Sequence, residues 1–260
     1  MELSNRRYAV LTVAFNEEQY ITACINNWKD VVEHHTVLVS TRPWNGDSAT
    51  DTTFFRARNA GAETIAGAWK TEHEQRTWGL ARLYDYDYVL IVDADELYTK
   101  EDQQKIIKRL DNPIDISYVS NRAIPAFRCG TMTTYWKNSD YILDPKDRHK
   151  PIIAVDPKQL YCHEHRQFKY INNEIDSLEY APEIDISCHH MSWAKPDHKI
   201  AEKIQSFSHH DDIRENWYEN VWTKWEPNSK VLVRPYGREE SIAVYEPAPD
   251  EICLLIDKSK

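Results

Sequence analysis

Glycine is scarce in this sequence, and its scarcity excludes one way of binding a nucleotide. Only six of the 260 residues are glycine, whereas average proteins contain roughly 7%. No two of the six have the spacing of G-x-G-x-x-G or G-x-x-x-x-G-K-S/T, the loops whose backbone amides hold phosphate groups. If the protein binds a nucleotide, side chains must hold it, with or without a metal ion.

Long apolar segments and an excess of basic residues are also missing. The longest apolar runs, Tyr88–Val92 and Ile252–Ile256, have the length of a strand, so we expect no transmembrane segment. The N-terminal residues lack the pattern of a signal peptide, and the five cysteines are widely spaced, which is typical of reduced thiols. We therefore expect a cytoplasmic protein. The net charge of -10 disfavours a DNA or RNA partner without eliminating it, because a local basic patch can override it.

Strand and helix patterns alternate along the first half of the chain. Apolar residues at three- and four-residue steps predict helices, and short β-branched runs predict strands. The predicted strands are Arg7–Ala14, Thr36–Ser40, Glu63–Ala66 and Tyr86–Val92. The predicted helices are Glu17–His35, Asp51–Ala60, Glu72–Tyr84 and Thr99–Leu110, the last with Thr99 as its cap. This alternation predicts an α/β fold with a mostly parallel sheet flanked by helices.

The pattern changes after about residue 113. Five prolines between residues 113 and 157 interrupt short β-branched and aromatic runs, which predicts irregular strands and loops. Helical patterns return at Asp197–His209 and Asp211–Trp225, and Ser229–Ile256 has the pattern of short strands or a packed tail. We therefore expect an irregular β-rich insert followed by C-terminal helices.

An acidic sequence follows the fourth predicted strand. Asp93 and Asp95 lie two residues apart, so both side chains leave the same face of an extended chain. In open α/β sheets, ligands bind beyond the carboxyl ends of the strands. Two carboxylates there repel each other unless a cation joins them, and carboxylates with phosphate oxygens are typical ligands of Mg²⁺ and Mn²⁺. The alternative is a solvated turn without a ligand.

Four motifs, in order, resemble those of GT-A-fold glycosyltransferases of the family 2 type. The first hundred residues carry three of them, and one follows in the second half. The motifs are Phe15–Glu18, Trp69–Leu80, Val89–Glu96 and Cys188–His210. The resemblance implies a GT-A-like (Rossmann-like) fold, in which residues 1–112 form the donor-binding half and residues 113–260 the acceptor side of the same domain.

The resemblance also implies an activity. A glycosyltransferase of this type moves a sugar from a nucleotide-diphosphate sugar, with UDP favoured, to an acceptor such as a glycan, a protein or a modified nucleobase. A Mn²⁺ or Mg²⁺ ion stabilises the departing diphosphate. The implied metal ligands are Asp93, Asp95 and His190.

The donor-binding residues are partly implied by the same motifs. Arg76 could contact a phosphate, or it could hold a carboxylate as a bidentate partner. The family's acidic segment after the second strand is absent, so Asp47 or Asp51 would replace its aspartate and Trp44 could stack on a base. The full expected set is Phe15, Asn16, Glu18, Trp44, Asp47, Asp51, Arg76, Asp93 and Lys203.

A general base is needed only if the enzyme inverts the configuration of the sugar. In the family that base lies some ninety residues after the acidic motif, which falls near Asp185. Glu164, within Cys162–His165, is the rival. A retaining enzyme would have no such base.

Two other kinds of protein remain open from sequence. Two clusters of potential zinc ligands suit a zinc enzyme or structural zinc protein, and a transferase-like fold could also bind sugar without catalysis. The zinc candidates are Cys162, His163, His165, Cys188, His189 and His190. For the late tryptophans, core packing is the default interpretation.

Overall fold

The computed structural model describes residues 6–45, 50–113, 124–143, 149–172, 178, 181–206, 213–227, 231–233 and 240–259. Most of its strands belong to one mixed sheet, and helices cover the parallel half. No helix among these residues is long and apolar enough to cross a membrane.

The first four strands form the parallel half of the sheet. They are β1 (Tyr8–Ala14), β2 (His34–Ser40), β3 (Glu63–Gly67) and β4 (Tyr88–Ile91), in the order β3-β2-β1-β4. Every pair among them is parallel, and β1 and β4 are buried along their whole length. This confirms the predicted α/β fold with parallel strands, because strands covered on both faces read as continuous apolar runs.

Three helices connect these strands, and a fourth follows β4. They are α1 (Ile21–Trp28), α2 (Thr53–Asn59), α3 (Glu72–Arg82) and α4 (Lys100–Asp111). The Oγ1 of Thr99 accepts from the Asp102 amide at 3.1 Å, so the predicted cap of α4 is confirmed. The prediction that the first helix reaches His35 is wrong. It ends at Trp28, and the apolar spacing continues because Val31 and Val32 pack against the core from a turn.

The second half is rich in strands, as expected, and most of these strands extend the same sheet. The remaining strands of the sheet are β5 (Glu96–Leu97), β6 (Ala126–Trp136), β7 (Tyr141–Leu143), β8 (Ile152–Val155), β11 (Glu183–Trp193), β12 (Val231–Val233) and β13 (Glu240–Tyr245). Strand β8 pairs with both β4 and β6 and joins the two halves. The prolines mark strand ends: Pro125 and Pro151 each stand just before a strand. Strands β9 (Leu160–Glu164) and β10 (Gln167–Tyr170) form a separate hairpin.

The C-terminal region differs from its predictions in detail. Helix α5 spans Asp197–Ser206, and the predicted helix over Asp211–Trp225 is reduced, within the described residues, to a short π-type helix at Tyr218–Trp222. The run Ile252–Ile256, expected to be strand-like, lies in helix α6 (Asp250–Asp257). Only a helix buries Ile252 and Ile256 together while leaving Leu254 exposed.

The late tryptophans are core residues, as expected. Trp193, Trp217 and Trp222 pack around Trp136 with ring centroids 4.5 to 6.2 Å away. All four are nearly inaccessible to solvent. This cluster attaches the segment after α5 to the ends of β6 and β11.

Candidate functional site

A pocket opens at the carboxyl ends of β1 and β4. Five chain segments meet there: the loop after β1, the loop after β2, helix α3, the acidic turn after β4, and the end of β11 with helix α5. The register explains why the acidic and histidine motifs meet, because His190 on β11 pairs with Glu96 on β5. The charged lining residues are Glu17, Glu72, Arg76, Asp93, Asp95, His190, Lys195, Lys199, Glu202 and Lys203.

Asp93 is held by two arginines. The Arg76 Nη2 atom lies 2.6 Å from its Oδ1, and the Arg166 Nη1 atom lies 3.5 Å from its Oδ2. Burial favours the neutral acid, but the two guanidinium groups outweigh it and lower the pKa of Asp93. Asp93 is therefore a fixed carboxylate.

Arg76 takes the second of its two predicted roles. Besides Asp93, it donates to Glu72 Oε1 through Nε at 3.1 Å and Nη2 at 2.6 Å. Its side chain is only 1% exposed. Arg76 therefore holds carboxylates in place, and Glu72 joins the site through it.

Asp95 is surrounded by cations at longer distances. His190 Nε2 lies 3.4 Å from its Oδ1, while Lys195 Nζ and Lys203 Nζ each lie 3.4 Å from its Oδ2. Burial raises the pKa of this carboxyl, but Lys203, Lys195 and His190 together hold it well below its usual range. Charge-assisted hydrogen bonds are usually about 2.7–2.9 Å, so Asp95 is neutralised without being tightly bonded to any one group.

The two lysines have different second partners. Both Glu17 carboxylate oxygens accept from Lys195 at 2.6 Å. Lys203 donates to the Ser192 hydroxyl at 2.7 Å and to the Ser192 carbonyl at 3.2 Å. Burial and the neighbouring Lys195 lower the pKa of Lys203.

Asn16 links the loop after β1 to the start of α2. Its φ of 53° is in the left-handed region, which asparagine tolerates better than most residues. Its Oδ1 accepts from the Asp51 amide at 3.0 Å, and Asp51 Oδ2 accepts from the Glu18 amide at 3.2 Å. The unusual backbone at Asn16 thus fixes the pocket wall against α2.

Glu18 and Asp51 face a third lysine. Lys199 Nζ lies 2.9 Å from Glu18 Oε1 and 3.6 Å from Asp51 Oδ2. Hydrogen bonds from the Thr52 hydroxyl and from Lys199 lower the pKa of Glu18 to about 2. Both carboxylates therefore already form hydrogen bonds or ion pairs with groups of the protein.

The expected donor-binding residues are divided accordingly. Glu18 and Asp51 lie beside the pocket, and Asp47 lies outside the described residues. Trp44 donates its ring N–H to Gln75 Oε1 at 3.1 Å, which fixes the indole at the pocket wall. The members that line the pocket are Phe15, Asn16, Trp44, Arg76, Asp93 and Lys203.

Neither predicted base reaches the pocket. Asp185 is exposed on β11, five residues before His190, which is roughly 17 Å along an extended strand. Glu164 is exposed at the end of β9. The family spacing does not place a base here because β11 is long and its start lies far from the acidic turn.

Sequence analysis missed Glu17, Lys195 and Arg166 as site residues. Glu17 lies within the Phe15–Glu18 motif and Lys195 within the Cys188–His210 motif, so the sequence contained a usable signal for both. Arg166 had none. It lies in the β9–β10 turn and donates to Glu96, to the Ile91 carbonyl and to the Ile152 carbonyl.

The donor set fits a divalent cation that the protein holds with two side chains. The described residues contain no group of three or more His, Cys, Asp and Glu side chains placed to hold a metal. Asp93 is bonded to arginine, which leaves Asp95 and His190 with facing atoms 3.4 Å apart. Mg²⁺ and similar ions commonly bind one or two carboxylates plus substrate phosphates and water.

The described residues do not bring the zinc candidates together in a group of three or more potential ligands. The Cys162 thiol contacts the His165 carbonyl within the β9–β10 hairpin, whereas Cys188 is fully buried in β11. Burial raises the pKa of Cys162 to about 12 and that of Cys188 well above its usual value. Zinc binds the thiolate, and neither thiol lies in a set of three potential ligands among the described residues.

Comparison with known proteins gave matches among solved structures. No family model matches the chain, and no curated protein matches it. Glucosyl-3-phosphoglycerate synthase from Mycobacterium tuberculosis, in complex with Mn²⁺, UDP and phosphoglyceric acid, is 20% identical with a TM-score of 0.38, over 49% of this chain and 44% of that chain. Its complexes with Mg²⁺ and UDP, and with Mn²⁺ and UDP-glucose, give the same values. The matched region spans under half of the length of these structures.

Proposed function

We propose that the chain is a metal-dependent glycosyltransferase that uses a nucleotide-diphosphate sugar, with a UDP-sugar favoured. The observation that carries the proposal is the pair of unequal carboxylates at the end of β4. Asp93 is fixed by Arg76 at 2.6 Å, while Asp95 faces His190 and two lysines at 3.4 Å. One carboxylate is held in place, and the other is available to a cation.

The pocket lining contains side chains suited to two kinds of donor contact. Trp44, which follows β2, and Asn16, which follows β1, both line the pocket, and an aromatic face with an amide suits a nucleoside. Lys203 on α5 and Lys195 just before it line the same pocket, and ammonium groups suit phosphate oxygens. These lysines would offer positive charge to a diphosphate in a pocket that also holds acidic residues.

A bound cation would be held by Asp95 and His190. Its chemistry would be to neutralise the diphosphate as it leaves the sugar. Lys203 supplies further positive charge beside the same oxygens, and Arg76 keeps Asp93 ionised and oriented. With cation and donor bound, these groups would already be in place and would stabilise developing charge without further reorganisation.

A thermal-stability screen tests the proposal. UDP-, GDP-, ADP- and dTDP-sugars are added with Mn²⁺, and a bound donor raises the melting temperature because it binds only the folded state. We expect one class, UDP-sugars, to stabilise the wild type and to lose that effect with chelator or with Asp95→Asn. Glu101→Gln on the exposed face of α4 serves as the control and should respond as the wild type does.

Two outcomes would contradict the proposal. Stabilisation by none of the nucleotide sugars would remove its substrate. Calorimetric binding of a free glycan, with no affinity for any nucleotide sugar, would instead favour a sugar-binding module.

A further inference from the structure

The cations around the two aspartates are held with unequal strength. Arg76 is locked between Asp93 and Glu72 at 2.6 Å. The three cationic groups around Asp95 all stop at 3.4 Å. A buried carboxylate needs a cation beside it, so these contacts supply charge compensation at Asp95 while leaving its oxygens without a short bond.

The two lysines at Asp95 also differ in their freedom to move. Lys195 is 4% exposed, and both of its shortest contacts are to the Glu17 carboxylate. Lys203 is 16% exposed, and its shortest contacts are to the neutral Ser192. Exchanging a neutral partner for a phosphate oxygen costs Lys203 little, whereas Lys195 would leave a buried carboxylate unpaired.

We propose that Lys203 holds the place of the divalent cation at Asp95 and moves to the donor diphosphate when the cation binds. The proposal rests on the proposed function, since it takes a nucleoside diphosphate as the ligand. An ion held by Asp95 Oδ1 and His190 Nε2 would lie beside the Lys203 ammonium, which contacts the other oxygen of the same carboxylate, Oδ2. Like charges so close repel strongly in a buried site. The flexible four-carbon stem lets the ammonium move to another oxygen nearby.

Lys203 therefore opposes the cation when the pocket is empty and assists the diphosphate when the cation is bound. Lys203→Met keeps the apolar stem and removes the charge. Without nucleotide, we expect Mn²⁺ to bind this variant about tenfold more tightly than the wild type, because the competing ammonium is gone. With saturating Mn²⁺, we expect UDP to bind about tenfold more weakly, because a charge-assisted contact is lost.

Lys199→Met is the matched control. It lies one turn earlier on α5, lines the same pocket and contacts Glu18 and Asp51 rather than Asp95. It removes the same charge from the same helix and leaves the contact between Lys203 and Asp95 in place. We expect its Mn²⁺ affinity without nucleotide to change by less than about threefold, since the effect is through space only.

The experiment measures free Mn²⁺ by electron paramagnetic resonance, then UDP binding by calorimetry with saturating Mn²⁺. Changes of opposite sign in Lys203→Met, absent from Lys199→Met, support the exchange. If Lys203→Met does not fold, Lys203→Gln is measured with the same expectations.

Two results overturn the inference and can be told apart. If wild type binds Mn²⁺ and UDP together but Lys203→Met shifts both affinities in the same direction, or Lys199→Met tightens Mn²⁺ equally, the exchange is wrong and the proposed function stands. If wild type binds neither UDP nor GDP, ADP or dTDP with Mn²⁺ present, both are wrong.

Discussion

Asp93 and Asp95 show at the residue scale what a short motif does and does not determine. Alternation along an extended chain predicts that both carboxylates face one crevice. Both line the pocket, but they do so from a turn after β4, and Ala94 between them lines it as well. Their partners Arg166 and Lys203 are distant in sequence, and no local pattern connects them to the acidic turn. Those contacts depend on the β9–β10 hairpin and on α5, whose positions follow from the assembled sheet.

Arg76 gives a stability prediction against a neighbour on the same helix. Arg76→Met should lower the free energy of unfolding by about 2–3 kcal/mol, because it removes the nearest cation from the partly buried Asp93 and Glu72. Arg82→Met, which removes an exposed contact to Glu63, should cost less than about 1 kcal/mol. Urea denaturation of both variants measures the difference. Equal losses would contradict the structural role of Arg76.

His35 gives a pH prediction. Burial, with a smaller contribution from His34, lowers its pKa from 6.5 to about 3. Between those pH values His35 is protonated in the unfolded chain but not in the folded chain. The free energy of unfolding is therefore highest above pH 6.5 and decreases as the pH falls towards 3. From pH 7 to pH 5, the wild type should lose about 2 kcal/mol more stability than His35→Gln.

Urea unfolding of both proteins at each pH measures this. The other titrating groups are shared, so their contributions cancel in the difference between wild type and variant. Parallel pH dependences would contradict the burial of a neutral His35.

Strands and helices with strong local patterns were predictable at the element scale. The parallel strands and the α4 cap follow from apolar runs and from Thr99. The length of α1 and the helical state of Ile252–Ile256 did not follow, because apolar spacing records which residues are buried and not the conformation that buries them. The lengths of strands β6 and β11 were not predicted, because the prolines that indicated irregular structure stand at the ends of these strands and do not interrupt them.

Gly130 gives a prediction for the pairing of β6 and β11. A Cβ built there would lie 2.7 Å from the Ile184 carbonyl oxygen, a backbone atom of the adjacent strand. Gly130→Ala should destabilise the protein by roughly 1–3 kcal/mol, because two paired strands must separate. Thr131→Ala, at the next and exposed position, should cost less than about 1 kcal/mol. Thermal unfolding compares them, and a neutral Gly130→Ala would contradict the close approach.

The two halves of the chain act as one unit at the scale of the whole molecule. The sequence pattern changes near residue 113, where we expected a boundary. However, β8 pairs with β4 across this boundary, and residues from both sides line the pocket. The net charge of -10 is likewise not uniform, since at the pocket the basic side chains nearly balance the acidic ones. A protein that repels polyanions at its surface can still attract one diphosphate there.

Turnover of the donor tests the central claim most directly. Release of UDP from a UDP-sugar is followed in wild type and Asp95→Asn, each with Mn²⁺ and with chelator. The account predicts release by wild type with Mn²⁺, and a fall of at least about a hundredfold with chelator or with Asp95→Asn, as expected when an electrostatic contact to the leaving group is removed. Full activity in Asp95→Asn, or activity indifferent to chelator, would contradict it.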